Sequence, residues 1–488
     1  MKKYIFRVIA IVFVATISLQ SCTDLTEPVY DAIPAEDFLK TDEQLAAALG
    51  PAYGGLRGIT WDWFNPQEAT SDELIVPTRG GDWFDNGDWL AYSRHTWTSQ
   101  HGPINGMWGF IFGNISTLNS LVPKVSTNKK AVDELRAIRA IYYYMAISSF
   151  GNVPIVTNDK DAAGTKTRAE VYAFIEKELT ESIPSLPTEV VYSKMNQNVA
   201  NMLLAKLYLN AKVFTGTAQW QKAYDTIDKV IKSGKYSLES NQLANFSVNN
   251  KGSKENIFAI PFNSISAGGM NFQMRTLHYA NATTFGLGNS PWNGFCTLAD
   301  FYNSFDDSDL RKKMWLIGQQ YSASGAKLLD AKDQPLAFVA DWDKDQMTDA
   351  DAVYQVAGAR SQKYEIQVNN PRGDQDNDYV FFRLADAILM KAEAALWLGK
   401  DAEALAEVNK IRARAGVPAF DKIDAATLLA ERGREFAWEG WRREDMIRFG
   451  TFSNERKFMK NTDKTKELFP IPQARIDGNP LLKQNPGY

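Results

Sequence analysis

Apolar residues recur at helical spacing over several stretches of this chain. Between 220 and 231, Trp220, Ala223, Tyr224, Ile227, Val230 and Ile231 share one face, and Gly234 follows where a helix would stop. The preceding stretch, 199–214, carries Leu203, Leu207, Tyr208 and Ala211 on one side, so the two read as a helical hairpin turning at 215–219. A second hairpin lies downstream. Phe381, Ala385, Ile388, Ala392, Ala395 and Leu396 line one helix, ended by Gly399; Ala404, Val408, Ile411 and Ala415 line the next, ended by Gly416 and Pro418. The hairpins resemble each other, since Ala223-x-x-x-Ile227-x-x-Val230 repeats as Ala404-x-x-x-Val408-x-x-Ile411 and Ala205-x-x-x-Leu209 as Ala392-x-x-x-Leu396. Small residues at the crossings, in hairpins of about 34 residues, predict tetratricopeptide-like repeats in an all-α fold. Further pairs are expected at 132–149 with 168–183, and at 42–56 with 104–122.

Two long regions lack this period. Residues 60–102 hold Trp61, Trp63, Trp83, Trp89 and Trp97 among Gly, Asp and Asn; residues 240–377 hold Trp292, Trp315 and Trp342 in a similar background. Loops of that length are functional or disordered, and abundant aromatics argue for order. The expected organisation is one domain over 22–488. Its helical repeats lie at about 36–58, 104–235 and 378–450, and its loop-rich, ligand-binding parts at about 60–103 and 240–377.

Charge removes one class of function. A net charge of -4 over 488 residues gives no electrostatic reason to expect nucleic acid, whose phosphates demand a basic face. The N-terminus adds another constraint. Lys2, Lys3 and Arg7 precede an apolar run at 8–15, too short to span a membrane and built like a secretory signal over 1–21. Leu19-Gln20-Ser21-Cys22 then resembles a bacterial lipobox, in which the Cys22 thiol is acylated and becomes the first residue of the mature chain; Gln20 departs from the commoner small residues there. A lipidated Cys22 leaves Cys296 without a partner, so no disulfide framework is expected.

A series of segments then carries a resemblance to a known family. Ala69-Thr70-Ser71-Asp72-Glu73 precedes the loop Gly80-Gly81-Asp82-Trp83, followed by Phe150-Gly151-Asn152-Val153-Pro154 and by Phe305-Asp306-Asp307 with Asp309 and Arg311. Arg383-Leu384-Ala385-Asp386, Val408-Asn409-x-Ile411-Arg412 and Glu431-Arg432-Gly433-Arg434-Glu435-Phe436 come next. The chain closes on Leu468-Phe469-Pro470-Ile471-Pro472 and Gln484-Asn485-Pro486-Gly487-Tyr488. In this order, across nearly the whole mature chain, they resemble the SusD/RagB lipoproteins of Bacteroidota. The resemblance implies a tetratricopeptide-like α-fold, a SusC-like TonB-dependent transporter as partner, and capture of oligosaccharide for import. The acidic run Thr23-Asp24-Leu25-Thr26-Glu27 is similar to surface-export signals of such lipoproteins, implying an outer-membrane, lipid-anchored protein facing the cell exterior.

A sugar site pairs flat aromatic rings with polar side chains at their edges. Gly81-Asp82-Trp83-Phe84-Asp85-Asn86 and Ser290-Pro291-Trp292-Asn293-Gly294 both have that mixture. Trp83 and Trp292 are therefore expected to stack on sugar, with Asp82, Asn86, Asn293 and Arg372 hydrogen-bonding. Either Trp could instead pack in the core. Cys296 could touch ligand or fill a small core position, and Arg372 could equally be a solvated loop charge. Glu431, Glu435 and Glu439 recur four apart among arginines, a spacing that predicts an ion-paired helix face and not the acid and base of a glycosidase.

Asp341-x-Asp343-x-Asp345 imitates the start of a calcium loop, but Gln346 and Ala352 stand where Gly and Glu are needed. His95, His101 and His278 show no zinc spacing, so neither metal nor cofactor nor catalytic residue is expected. Alternatives left open are an import lipoprotein for peptide or host glycoconjugate, a tetratricopeptide-type adaptor, and a surface glycosidase.

Overall fold

The computed structural model describes residues 41–158 and 163–488. The signal segment and the Cys22 lipidation site lie outside the described residues. The chain forms two units, Met1–Ala48 and Leu49–Tyr488. The described part of the first, 41–48, is the opening of helix α1 (Asp42–Gly55).

The larger unit is built on α2 (Phe64–Ala69), α3 (Asp88–Arg94), α4 (Gly102–Leu121), α5 (Lys129–Ser149), α6 (Arg168–Ser182), α7 (Gln197–Leu209) and α8 (Trp220–Lys232). It continues with α9 (Leu384–Trp397), α10 (Asp401–Ala415), α11 (Ala425–Phe436) and α12 (Arg442–Arg448). Helices α5 and α6, α7 and α8, and α9 and α10 pack as pairs, and α8 also packs on α9, joining hairpins far apart in sequence into one array. This is the tetratricopeptide-like scaffold the apolar spacing predicts.

The helix starts have local causes. The Asn128 side chain accepts the Ala131 N–H at the start of α5, Thr167 and Glu170 form a reciprocal capping box on α6, and Asn196 accepts two N–H groups of α7. Helix α4 runs along α5. Helix α1 reaches α4 at its last residue, where a Cβ on Gly55 would sit 1.9 Å from Asn114 Oδ1; only glycine permits that approach.

The two aperiodic regions are ordered: the first carries α2 and α3, and both add long loops with short paired strands. The longest pair is antiparallel, β1 (Asn256–Ile260) against β2 (Tyr379–Arg383), with Tyr379 opposite Ile260 and every residue buried. Phe381, expected on the helix, lies on β2, and α9 starts only at Leu384.

A buried charge network fastens these loops to the helices. Arg383, at the end of β2, is bidentate to Glu439 at 2.7 and 2.8 Å and reaches Glu255 at 2.8 Å and Glu435 at 2.5 Å. Arg311 pairs with Asp309 at 2.8 Å and Glu431 at 2.7 Å, and Arg432 with Asp445 at 2.7 Å. The spacing of Glu431, Glu435 and Glu439 thus predicts the pairing but not its setting. Helix α11 ends at Phe436, all three carboxylates are buried, and their partners include residues from distant loops. Charges removed from water need such paired, hydrogen-bonded surroundings. The arginines hold the Glu435 carboxyl well below the usual carboxylate range against the opposing effect of burial.

The same region supports the loop that carries the candidate site. Past α11, the Trp438 and Gly440 N–H groups donate to Glu73 Oε2 at 3.0 Å and Glu68 Oε1 at 2.5 Å. Glu68 lies on α2, directly after a π-helical turn at Ile59–Trp63.

Candidate ligand cleft

Trp83 sits on a loop whose backbone is held in an unusual form. Arg79 and Asp82 exchange backbone hydrogen bonds of 3.0 Å across Gly80-Gly81. Trp83, Asp85 and Asn86 then take φ values of 61°, 39° and 55°, in the left-handed region that side chains disfavour. Such backbone persists only where surroundings enforce it, and it concentrates at functional sites. Here the enforcement comes from below. The buried Arg79 guanidinium donates to the carbonyls of Tyr354 and Ala357, both at 2.8 Å, and to Cys296 Sγ at 3.4 Å.

The second loop meets the first through its backbone. Trp292 N–H donates to Met274 O at 2.6 Å and Asn293 N–H to Leu277 O at 2.9 Å, so 290–294 is pinned to 274–277. The Trp83 indole N–H then donates to Trp292 O at 2.6 Å, with the two rings 6.5 Å apart and tilted by 47°. Trp83 also packs edge-on against Trp89 and Phe295, both at 5.5 Å.

Between the loops opens a shallow cleft of about 500 Å³, lined by Trp61, Asp82, Trp83, Asp85, Tyr279, Ser290, Pro291 and Trp292. Trp61 and Trp292 are 43% and 37% exposed, unusual for tryptophan away from an interface. Asp82 accepts the Tyr279 hydroxyl, and Asp85 accepts the Trp89 indole N–H at 2.7 Å. Both carboxylates are thus positioned acceptors beside apolar rings. Under Trp61 lies the guanidinium of Arg275, 4.6 Å from the ring centroid. Arg275 is buried, and among the described residues no carboxylate pairs with it; burial pulls it down to about 9. Its N–H groups bond Thr60 O, Asn65 Oδ1 and Asn271 Oδ1 at 2.6–3.1 Å, which fixes the π-turn that presents Trp61.

Of the residues singled out from sequence, Trp83, Trp292 and Asp82 line this cleft, and Asn86 is exposed on the same loop. The structure places the others elsewhere. Asn293 is fully buried with φ 52°, its amide donating to Gln355 O at 3.1 Å and accepting from Arg360 at 2.8 Å. Cys296 is a free, buried thiol packed with Ile75, Leu298 and Trp342, beneath the loop and not facing the cleft. Arg372 is exposed on a neighbouring loop whose Asn370 carbonyl accepts from Gly288 N–H. Trp61, Asp85, Tyr279, Ser290 and Pro291 were not singled out. Trp61 could have been found from Trp61-Asp62-Trp63 beside Gly58, whereas nothing local marks Tyr279.

In the calcium-like segment, Asp345 is bidentate to Arg94 at 2.7 Å and Asp341 pairs with Lys457. Among the described residues no group of acids, histidines or cysteines is arranged to hold a metal, and no helix is long and apolar enough to cross a membrane.

An open cleft of aromatic rings and acceptor side chains, carried on loops over a helical-repeat scaffold, defines a ligand-binding class of protein. Comparison with known proteins agrees. Residues 254–488 match the profile of the SusD family, and residues 70–209 match a profile described as starch-binding associating with outer membrane. The starch-binding protein SusD of Bacteroides thetaiotaomicron is 27% identical, over 89% of this chain and 86% of that one. A SusD-like protein of Formosa agariphila is 24% identical over the full length of both. Among solved structures, surface glycan-binding protein A of Bacteroides thetaiotaomicron in complex with laminarihexaose superimposes with a TM-score of 0.73. It is 19% identical over 91% of this chain and 99% of that one. The chain belongs to the SusD family.

Proposed function

We propose that this protein captures oligo- or polysaccharide at the cell surface and passes it to a SusC-like TonB-dependent transporter in the outer membrane. The observation that carries the reading is the cleft, where Trp61, Trp83 and Trp292 offer rings to the apolar faces of sugars and Asp82, Asp85 and Ser290 accept from or donate to their hydroxyls. Relatives named for binding starch and laminarin support it. The lipobox and the family together support anchoring through a lipid on Cys22, exposure on the outer face and the transporter partnership.

The protein binds and does not cleave. Both cleft carboxylates are engaged as acceptors, by Tyr279 and Trp89, and neither is set up as a proton donor to a glycosidic oxygen. Titration calorimetry against malto- and laminari-oligosaccharides, with a reducing-sugar assay on the same mixtures, tests this. The expected result is heat of binding with no new reducing ends; release of reducing ends, or no heat with any glycan, would overturn it.

A further inference from the structure

A second cleft, of about 420 Å³, opens between the segment joining α6 to α7 and the segments that lead out of α8 and into β1. Lys235, Lys251 and Lys254 line it, together with Tyr192, Tyr236, Ser193, Ser237 and Ser253, and no Asp or Glu is among its lining residues. All three lysines are exposed. Among the described residues none has a carboxylate within ion-pair distance, although the chain carries 58 acidic residues against 54 Lys and Arg. Asp378 feels the charge of Lys251 without forming an ion pair with it, and the hydrogen bonds of Asp378 and Glu239 go to other groups. Asp378, beneath the cleft, accepts the Tyr192 hydroxyl at 2.5 Å and the Phe262 N–H at 2.9 Å, and Glu239 accepts the Lys254 backbone N–H at 2.8 Å.

The two clefts therefore differ in sign. Asp82 and Asp85 stand in the tryptophan cleft without a cation among its lining residues, so an anionic sugar is disfavoured there. The lysine cleft has the reverse balance, with two half-buried tyrosine rings and serine hydroxyls at its walls. We infer that it is a separate site for an anionic saccharide, its charge a carboxylate or a sulfate ester. Three ammonium groups neutralise the charge, the tyrosine rings meet the sugar's apolar face, and the serines bond its hydroxyls. The inference stands apart from the ligand of the tryptophan cleft.

Titration calorimetry with trigalacturonate, with a sulfated carrageenan disaccharide and with neutral maltotriose tests it on four proteins: wild type, Lys235→Ala/Lys251→Ala/Lys254→Ala, the matching triple Arg variant, and Trp83→Ala/Trp292→Ala. At least one anionic probe binds wild type, the triple Arg variant and the Trp variant alike, and the triple Ala change weakens it about tenfold or more, as does a rise from about 50 to about 300 mM salt. Which probe binds distinguishes carboxylate from sulfate. No binding by either anionic probe, or affinity that survives the triple Ala change in a protein of unaltered circular dichroism, overturns it.

Discussion

The Trp83 indole N–H donates to the Trp292 carbonyl at 2.6 Å, joining residues 209 positions apart in the chain. One hydrogen bond thus sets the relative placement of two rings on different loops, and a third ring, Trp61, reaches the same cleft from the π-turn before α2. Trp83→Phe keeps a ring but loses the donor. It should weaken glycan binding by a factor of about 5, the worth of a neutral hydrogen bond of about 1 kcal/mol, whereas Trp83→Ala should abolish measurable binding. Calorimetric affinities for the two variants check the order.

Gly294 lies under the Trp83 ring, where an added Cβ would fall 2.3 Å from Cε2. Gly294→Ala should therefore displace the indole and lower affinity nearly as far as Trp83→Ala. Because the displaced ring is half-buried at the surface, the melting temperature should move little. Near-ultraviolet circular dichroism of the tryptophans, read beside affinity, separates this outcome from general unfolding.

Arg383 binds three buried carboxylates, Glu255, Glu435 and Glu439. Arg383→Ala removes the one cation common to all three, leaving Glu255 with Arg414, Glu435 with Arg311 and Arg414, and Glu439 with Lys363. It should cost about 3–5 kcal/mol in urea unfolding, the range for breaking one side of a buried pair.

Glu68 and Glu73 are buried together; burial pushes both carboxyls up, Glu68 to about 7, and the charge of Glu68 raises Glu73 further. The folded state therefore holds a proton that the unfolded chain releases above about pH 4.3. The stability this contributes is complete below that pH and is lost as pH rises through the folded value. His95 and His278, lowered by burial to about 3 and about 4, act in the opposite sense between those values and the unfolded histidine value of about 6.5. Glu68→Gln isolates the carboxyl pair: unfolding free energies of wild type and variant should diverge, in favour of the variant, as pH rises from about 5 to about 8.

The helical half of the fold was legible because its signal is local. The face from Trp220 to Val230 buries Ala223, Ile227 and Val230 as its spacing requires, and Gly234 and Gly416 end their helices in the left-handed conformation. The cleft was legible only where aromatic and polar residues are neighbours in sequence, at Asp82-Trp83 and at Trp292. Composition could not separate Asn293 from its neighbour Trp292, because a left-handed backbone turns one side chain outward and the next onto Gln355 and Arg360. Tyr279 enters the cleft through a contact spanning 197 positions, which no local pattern encodes. The glutamates at 431, 435 and 439 show the same limit, since spacing reveals that charges pair but not whether water surrounds them.

The central claim is that Trp83 and Trp292 form the floor on which a glycan rests. Affinity electrophoresis of the chain from Thr23 onward, through gels containing α- and β-glucans, fructan, xylan, mannan or pectin, tests it most directly. The account predicts retardation by at least one polysaccharide and none for Trp83→Ala/Trp292→Ala of unaltered circular dichroism. Equal retardation of the double variant, or none of wild type in any gel, would contradict it.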